Sequence, residues 1–510
     1  MKKSIIKSTA LIMVFTLLSK VLGFVKSMIQ ASYFGANEVT DAFNIANGFS
    51  TNILYLIATA ISVSFVPVYT KYRLDDKQDE KQMASRTVTF LYLAGECIAI
   101  VIFIFATPLM KVAAPSYNGE QLANTVLFFR VLLLGFCFSI GTNIFQQLLN
   151  SEKAYGYSAV SSLVNSVVVI ICIVMLHRYI GIWSLIVAII ISMMAQNIVV
   201  AYRGRKYAKF TFRYGIWDDS IKLLLIQSAP IFFSQGTIEI NEIVDKALLA
   251  SAEAGAVTAV AYAGVLNGFV TQLLSISFST VLFTEISELA VGNEVKEIRK
   301  LLNETLKIIV VISIPIMIFV FRQANEIVTI VYGRGSFGQE AISMTAKALA
   351  IYILCLMPLV LKAIIVKAYY SFNDTKNPMK ISIAGVIVNI GVSVALSHKL
   401  GMIGVVIGTI IAEWVCYISM YLHFNYKHIR ITDNKTWSKN WKMIVACILM
   451  YLFVEGSNAM TAMLNIYLRF VIRGILSFGM YFFVLLFLRD ESVVKIVGIL
   501  FSQIKKYLRR

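Results

Sequence analysis

The chain has 510 residues, of which 58% are hydrophobic and 15% are charged. Ordinary soluble chains contain about 45–50% apolar and about 25% charged residues, so a soluble enzyme, a secreted disulfide scaffold and a disordered chain are all excluded. A bilayer core takes about 20 apolar residues per helix, which gives this chain room for about 12 to 15 spans. The composition therefore predicts a multi-pass α-helical membrane protein.

Polar breaks divide the chain into fourteen apolar segments. The first resembles a signal peptide but lacks an A-x-A-like cleavage site, so we expect it to remain as a span. The predicted spans are 8–33, 43–70, 87–113, 123–149, 158–177, 183–202, 222–250, 257–290, 304–324, 341–369, 381–397, 401–425, 443–458 and 467–488.

The formal net charge of +18 is explained by where the 46 Lys and Arg residues lie. With the N-terminus inside, the predicted inner segments carry 31 of them and the outer loops carry three: Arg178, Arg334 and Lys399. Such a bias sets membrane orientation. We therefore expect a plasma-membrane protein with both termini cytoplasmic, basic residues beside anionic lipid head groups, and no nucleic-acid partner.

An internal repeat is predicted from two similar stretches. ASYFGANEVTDAFNIANGF begins at Ala31, and ASAEAGAVTAVAYAGVLNGF begins at Ala250, about 220 residues later. Transporters are commonly built from such repeats. The match predicts an N-terminal lobe at 1–221 with spans 1–6 and a C-terminal lobe at 222–440 with spans 7–12. Spans 13 and 14 and a basic cytoplasmic tail follow at 441–510.

Motifs for catalysis are lacking in the sequence. Gly333, Gly335 and Gly338 fit GxGxxG, but no βαβ unit surrounds them, and there is no GxxxxGK[ST], HExxH or GxSxG motif. The six cysteines lie in apolar stretches without a CxxC pair, which argues against a metal centre or a disulfide framework. We expect a protein without enzymatic activity.

Charged residues inside the spans are the candidate functional groups, since a charge at the bilayer centre costs about 2.5–3.5 kcal/mol. Lys20 and Lys26 lie about 18 and 27 Å along span 1 and point about 120° apart in a straight helix. Both face one cavity only if it is wide or if the helix bends near Gly23. The alternative is that they extend towards opposite membrane surfaces.

Span 7 carries a group of four charges at Glu239, Glu242, Asp245 and Lys246. Glu242 and Lys246 are an i, i+4 pair that can neutralise each other, which leaves Glu239 and Asp245 as candidates for cation or proton coupling. On span 12, Gly404 and Gly408 form a GxxxG packing face. Further charges lie in or at the ends of spans: Arg130, Lys362, Lys367 and Glu413.

Several motifs together resemble the MurJ (MviN) lipid II flippases of the MOP superfamily. They are SKVLGFVK at 19–26, FGA at 34–36, TDAF at 40–43, SFVPV at 64–68, VYGRGSF at 331–337 and AYYSFNDTKNP at 368–378. The resemblance spans essentially the whole chain. It implies a bacterial plasma-membrane protein with two lobes around a cationic cavity, in which spans 13 and 14 form a groove for a polyprenyl tail.

By the same resemblance, Lys20, Lys26 and Asp41 occupy substrate-site positions, with lysine where the family usually has arginine. The family's other arginines are replaced by Leu54 and Val265, and Ser27 replaces an acid. The substrate implied is lipid II or another undecaprenyl-diphosphate-linked oligosaccharide, and Lys362 or Lys367 is the candidate substitute for the missing arginines.

The resemblance also implies a sodium site, the only metal or cofactor expected. Asp245, Asn389 and Thr409 match the family pattern, whereas Ser393 stands where a second acid occurs. Oxygen ligands suit a hard cation. A buried polar cluster that seals helix packing is the alternative interpretation.

The predicted function is export of such a precursor from the inner to the outer leaflet by alternating access. The alternatives are a cation-coupled exporter of small amphiphiles, which favours an acidic and aromatic cavity, and a non-transporting partner of a polysaccharide synthase. The expected partners are the lipid-linked substrate, membrane lipids and proteins of cell-wall or polysaccharide synthesis.

Overall fold

A computed structural model describes residues 2–74, 79–292, 294–431, 441–461, 463–490 and 493–494. Most of the predicted basic tail, and much of the segment before span 13, lie outside these residues. Every regular element in the described part of the chain is helical.

The helices of the first half are α1 (Lys2–Phe34), α2 (Glu38–Leu74), α3 (Glu80–Ile104), α4 (Ala106–Ala113), α5 (Gly119–Leu133), α6 (Phe136–Ser151), α7 (Tyr155–Ile180), α8 (Trp183–Gly204) and α9 (Asp219–Ala250). Those of the second half are α10 (Ala256–Val291), α11 (Val295–Tyr332), α12 (Gln339–Tyr352), α13 (Leu356–Ser371), α14 (Lys376–Leu400), α15 (Met402–Lys427), α16 (Trp441–Met460) and α17 (Ile466–Phe487).

Three predicted spans are each built from two helices. α3 and α4 meet at Phe105, α5 and α6 are bent by 44° at Leu134–Gly135, and a 3-10 turn at Ile353–Cys355 joins α12 to α13. Counting each of these pairs as one gives fourteen segments in the described residues. Ten helical spans there are long and apolar enough to cross a membrane, and the α5–α6 pair makes an eleventh. The predicted all-α, multi-pass fold is confirmed.

At two of these breaks a proline lies at a position where a helix tolerates it. Pro108 and Pro358 each lie in the first turn of the second helix of a pair, α4 and α13. The first backbone N–H groups of a helix have no partner within that helix, so a residue lacking the N–H is accommodated there. Pro67, Pro230 and Pro315 instead lie inside continuous helices.

Backbone conformations support the predicted repeat. Positive φ angles occur at Gly35 and Gly255, at Lys153 and Asn373, and at Gly181 and Gly401, each pair 220 residues apart. Gly181 and Gly401 end α7 and α14, and each N–H bonds to the carbonyl four residues earlier at 2.9 Å. The two halves therefore share their turn geometry as well as a sequence match.

By packing, the described chain forms two compact units. The first contains residues up to Thr258 together with Arg334–Ala341, and in it α2 packs against α5, α6 and α9. The second contains Ala259–Gly333 and the chain from Ile342 onward. These units are defined by contacts between residues. The lobe boundaries at 221/222 and 440/441 were instead inferred from the sequence repeat, and they stay a prediction.

Of the three hydrophobic clusters that the described residues of the second unit form, two are large. One is centred on buried residues of α13 and α11, among them Ile364, Leu361 and Leu302, and Met420 of α15 joins it. The other joins α11 to α16 and α17 and includes Phe319, Met450 and Tyr481. The two C-terminal helices therefore share a hydrophobic core with α11.

Candidate functional site

Two lysines on α1 are candidates for binding an anion. α1 continues without interruption through Gly23, so no helix break accompanies the hypothesised bend there. Lys20 is exposed and Lys26 is half-buried. Neither ammonium pairs with a carboxylate among the residues that the structure describes. Both positive charges are therefore available to an anionic group.

Asp41 is 2% exposed, and its carboxylate accepts hydrogen bonds at the start of α10. One oxygen accepts the backbone N–H of Gly255 at 2.7 Å, and the other accepts the N–H and the hydroxyl of Thr258 at 2.8 and 2.6 Å. A carboxylate at a helix N-terminus satisfies unpaired N–H groups and interacts favourably with the helix dipole. Asp41 thus acts as an N-terminal cap supplied from another helix.

The charged face of α9 is partly neutralised. Lys246 Nζ lies 3.4 Å from Glu242 Oε2, which confirms the predicted i, i+4 pair. The Asn241 amide donates to Asp245 Oδ2 at 3.4 Å. Glu239 is 8% exposed. This helix therefore carries two further acids, Glu239 and Asp245, beside the Glu242–Lys246 pair.

Two residues of the predicted sodium site, Asn389 and Thr409, lie in the second unit, and Asp245 lies in the first. Within the second unit the Ser393 hydroxyl donates to Asn389 Oδ1 at 3.1 Å, and the Thr409 hydroxyl donates to the Val405 carbonyl at 3.3 Å. Among the described residues, no group of three or more His, Cys, Asp or Glu side chains is placed to hold a metal. The sodium site stays a prediction.

Lys362 and Lys367 are each engaged locally. The Lys362 ammonium forms an ion pair with Glu413 of α15, and both side chains are only about one-fifth exposed, at 23% and 21%. Lys367 Nζ lies 5.1 Å from the ring centre of Phe283 and 5.9 Å from that of Tyr370. Either lysine has to leave these contacts before it binds a substrate.

Neither residue at the two substituted arginine positions carries a charge. Leu54 of α2 is 7% exposed, and Val265 of α10 is 37% exposed. Ser27, at the substituted acid position, is buried and donates to the Phe24 carbonyl at 2.7 Å. The differences from the family pattern therefore leave Lys20 and Lys26, with Lys362 and Lys367 as candidate substitutes, as the basic residues of the predicted site.

The AYYSFNDTKNP motif builds the turn between α13 and α14. Asp374 accepts the Asn377 amide at 2.9 and 2.7 Å and lies 2.9 Å from Lys427 Nζ and 3.0 Å from His428 Nε2. Burial alone raises the pKa of Asp374, but the hydrogen bonds from Asn377, Lys427 and His428 outweigh it and hold the pKa well below its usual range. The motif therefore fastens this turn to the end of α15.

A charge cluster on α11, α16 and α17 was missed by sequence reasoning. Arg473 is 3% exposed, and its guanidinium donates to Glu326 Oε1 at 2.8 Å and to the Thr461 hydroxyl at 2.7 Å. Arg469 Nε lies 2.9 Å from the same Glu326 oxygen, and Arg322 pairs with Glu455. The one available sequence signal was the i, i+4 spacing of the two arginines on span 14.

A family model described as lipid II flippase MurJ matches residues 30–474. A probable lipid II flippase MurJ of Rickettsia prowazekii is 26% identical over 456 residues, covering 88% of this chain and 90% of the relative. The lipid II flippase MurJ of Burkholderia cenocepacia is 25% identical over 386 residues, covering 73% and 75%.

Solved structures share the fold. A lipid II flippase MurJ in an inward closed conformation matches with a TM-score of 0.81 at 21% identity, covering 94% of this chain and 99% of that one. An inward-facing MATE multidrug transporter of the MOP superfamily matches with a TM-score of 0.68 at 16% identity, covering 80% and 94%. The family match extends from the end of α1 into α17 and includes every motif quoted above except SKVLGFVK at 19–26: the chain belongs to the MurJ family.

Proposed function

We propose that this protein translocates lipid II, or a closely related undecaprenyl-diphosphate-linked precursor, from the inner to the outer leaflet by alternating access. The observation that carries the proposal is the family match over residues 30–474. The α1 lysines, which pair with no carboxylate among the residues described, support it, because a diphosphate is an anion and cationic side chains inside a membrane normally face a ligand or a partner.

We propose that Lys26, with Lys20, attracts the diphosphate as a point charge. An ammonium lacks the two-pronged geometry with which arginine binds phosphate, so binding depends more on charge than on direction. Such a contact is readily exchanged, which suits a substrate that must be released on the other side.

For Asp41 we propose a positioning role. Its carboxylate already accepts three hydrogen bonds from Gly255 and Thr258, so a direct contact with a diphosphate would bring two anions together. Holding the start of α10 is the role that its contacts support.

For the polyprenyl tail we propose the groove on α16 and α17. Support comes from the charge cluster around Glu326, which fastens α17 to α11 while large apolar side chains of both C-terminal helices stay exposed, among them Leu452, Ile475 and Phe483. Exposed apolar side chains in contact with lipid suit a prenyl chain.

Rescue of a bacterial strain depleted of its own lipid II flippase tests the function. Growth restored by this chain, with labelled lipid II reaching the outer leaflet, supports the proposal. Abundant protein in the membrane without rescue or flipping contradicts it for lipid II. Because the chain belongs to the MurJ family, the alternative of an exporter of small amphiphiles is not favoured.

Sodium coupling is a separate proposal, supported by oxygen-bearing side chains at Asp245, Asn389 and Thr409. If sodium binds there, Asp245→Asn makes a sodium-stimulated wild type insensitive to sodium or inactive in proteoliposomes. Asn241→Ala is the matched control, since it removes the amide that contacts Asp245 and keeps the carboxylate. An unchanged sodium response in Asp245→Asn removes the site.

A further inference from the structure

The connection between α8 and α9 is both basic and aromatic. Residues 203–217, called here the basic–aromatic segment, contain five Lys or Arg residues and no acidic residue. Phe210, Phe212 and Trp217 in it are 51%, 59% and 61% exposed. Aromatic rings beside cations are typical of a membrane surface facing anionic head groups.

This segment is held in place along α3. The N–H of Lys209 donates to the Ser85 hydroxyl at 3.0 Å, and that of Thr211 donates to the Thr89 hydroxyl at 2.9 Å. The Arg86 guanidinium donates to the Tyr214 carbonyl at 3.0 and 2.7 Å. Because Ser85, Arg86 and Thr89 of α3 all form hydrogen bonds with this segment, its exposed rings and cations belong to an ordered surface.

Beside it lies an apolar cavity of about 400 Å³ between α2, α3, α6 and α9. Ligand pockets typically measure about 300–1,000 Å³. Among the described lining residues the polar side chain is that of Ser228, whose hydroxyl already donates to the Leu224 carbonyl at 2.7 Å. A cavity that offers no free hydrogen-bond donor suits a hydrocarbon chain.

The cavity reaches the basic–aromatic segment. Phe90, which lines the cavity, packs edge-on against Trp217 with ring centres 5.9 Å apart. Lys222 is exposed on α9 and lies three and seven residues before Leu225 and Ala229, two lining residues, so all three share one helix face. Lys222 thus stands at one end of the apolar cavity, and Arg213 lies four residues before Trp217 in the chain.

We propose that this place binds an anionic phospholipid of the membrane, with one acyl chain in the cavity and its phosphate at Lys222 and Arg213. The excess of cations selects an acidic over a zwitterionic head group, and the cavity selects a chain over a free phosphate. The ligand is a structural lipid, separate from the transported precursor.

Fluorescence quenching of Trp217 tests the site directly. In a detergent-purified variant that keeps Trp217 and has the other four tryptophans replaced by phenylalanine, phosphatidylglycerol with brominated acyl chains is titrated against brominated phosphatidylcholine. We expect saturable quenching at lower concentration for the glycerol lipid. Each of Arg213→Gln and Lys222→Gln should weaken that quenching about fivefold, as expected for one charge near a lipid surface.

The cavity is tested by filling it. Ala94→Phe places a ring among the lining side chains and should weaken binding of both lipids about tenfold, since each methylene left in solvent costs affinity. Ala229→Leu on the opposite wall serves if the first variant does not fold. Lys300→Gln is the matched control, because it removes an exposed cation from the second unit, and it should leave quenching unchanged.

Three outcomes overturn the proposal. Equal quenching by the two lipids would remove the head-group site, and unchanged quenching in both filled variants would remove the cavity. Stronger displacement of the brominated lipid by undecaprenyl phosphate than by unlabelled phosphatidylglycerol would assign the place to the prenyl lipid instead.

Discussion

At the scale of single residues, the intramembrane charges divide by whether a neighbour neutralises them. Lys246 pairs with Glu242, and Lys362 pairs with Glu413. Lys20 and Lys26 have no such partner among the described residues. Because a charge in the membrane is costly unless it meets a partner or water, an unpaired half-buried lysine is suited to an anionic ligand.

Substitutions at Lys26 test that interpretation. Lys26→Arg should keep or improve function because its fork suits phosphate. Lys26→Ala should lose function without loss of protein from the membrane, since removing a buried charge does not cost insertion energy. Growth rescue and membrane abundance are measured together, and a functional Lys26→Glu would exclude this residue from the substrate site.

Asp374 predicts a pH-dependent stability. Its pKa is lowered in the folded protein, so its stabilising contribution is present above the ordinary aspartate pKa of about 3.9 and is lost as the pH falls through the folded value. We expect the melting temperature of the purified protein to fall as the pH is lowered below about 4, which is near the ordinary pKa of an aspartate.

Asp374→Asn is the variant for that prediction. At pH 7 it should cost roughly 2 kcal/mol through its lost charged hydrogen bonds. It should also reduce the difference between melting temperatures at pH 7 and pH 3. Glu297→Gln, at an exposed pair in the second unit, is the control and should change neither quantity. An acid response that persists unchanged in Asp374→Asn would assign it to other groups.

At the scale of helices, hydropathy predicted all fourteen segments but not their details. The breaks at Phe105 and at Ile353–Cys355 occur within continuously apolar sequence, so a window average cannot detect them. α11 begins at Val295, nine residues before the predicted span. That first part is amphipathic, with Ile298 and Leu302 buried, so its charged face lowered the average.

A contact in the candidate site could be predicted only where its two residues lie close together in the sequence. The Glu242–Lys246 pair follows from i, i+4 spacing. The Arg473–Glu326 contact joins helices 147 residues apart in sequence, and no local pattern specifies which distant helices pack together. The ion pair of Lys362 could not be predicted for the same reason, because its partner Glu413 lies on another helix.

Gly404 provides a test of helix packing. The predicted GxxxG face is confirmed, since a Cβ at Gly404 would lie 2.5 Å from the Leu396 carbonyl of α14. Gly404→Ala should therefore destabilise the protein by about 1–3 kcal/mol through overpacking, despite the better helix propensity of alanine.

Gly391 of α14 is the matched control for this prediction. A Cβ there meets no atom within 4 Å, so Gly391→Ala should stabilise the helix by up to about 1 kcal/mol. Thermal unfolding in detergent compares the two variants. Equal stability of both would mean that α14 and α15 do not pack at Gly404 as closely as described.

At the scale of the whole molecule, two properties of the sequence concern the entire chain. The repeat appears both as a sequence match and as positive φ angles at the same spacing of 220 residues. The distribution of Lys and Arg repeats as well, because predicted inner segments rich in Lys and Arg alternate with predicted outer loops that hold only three of these residues. Orientation in the membrane is therefore specified many times along the chain rather than by one signal.

We therefore expect 203–222 to face the cytoplasm and 325–340 to face outward. Lys209→Cys and Gln339→Cys, both at exposed positions, are introduced separately into a chain without its six native cysteines. In intact cells an impermeant thiol reagent should label only Gln339→Cys, and after the membrane is opened it should label both. Equal access after opening controls for reactivity, since a buried thiol would stay unlabelled in either case. Labelling of Lys209→Cys in intact cells would reverse the orientation.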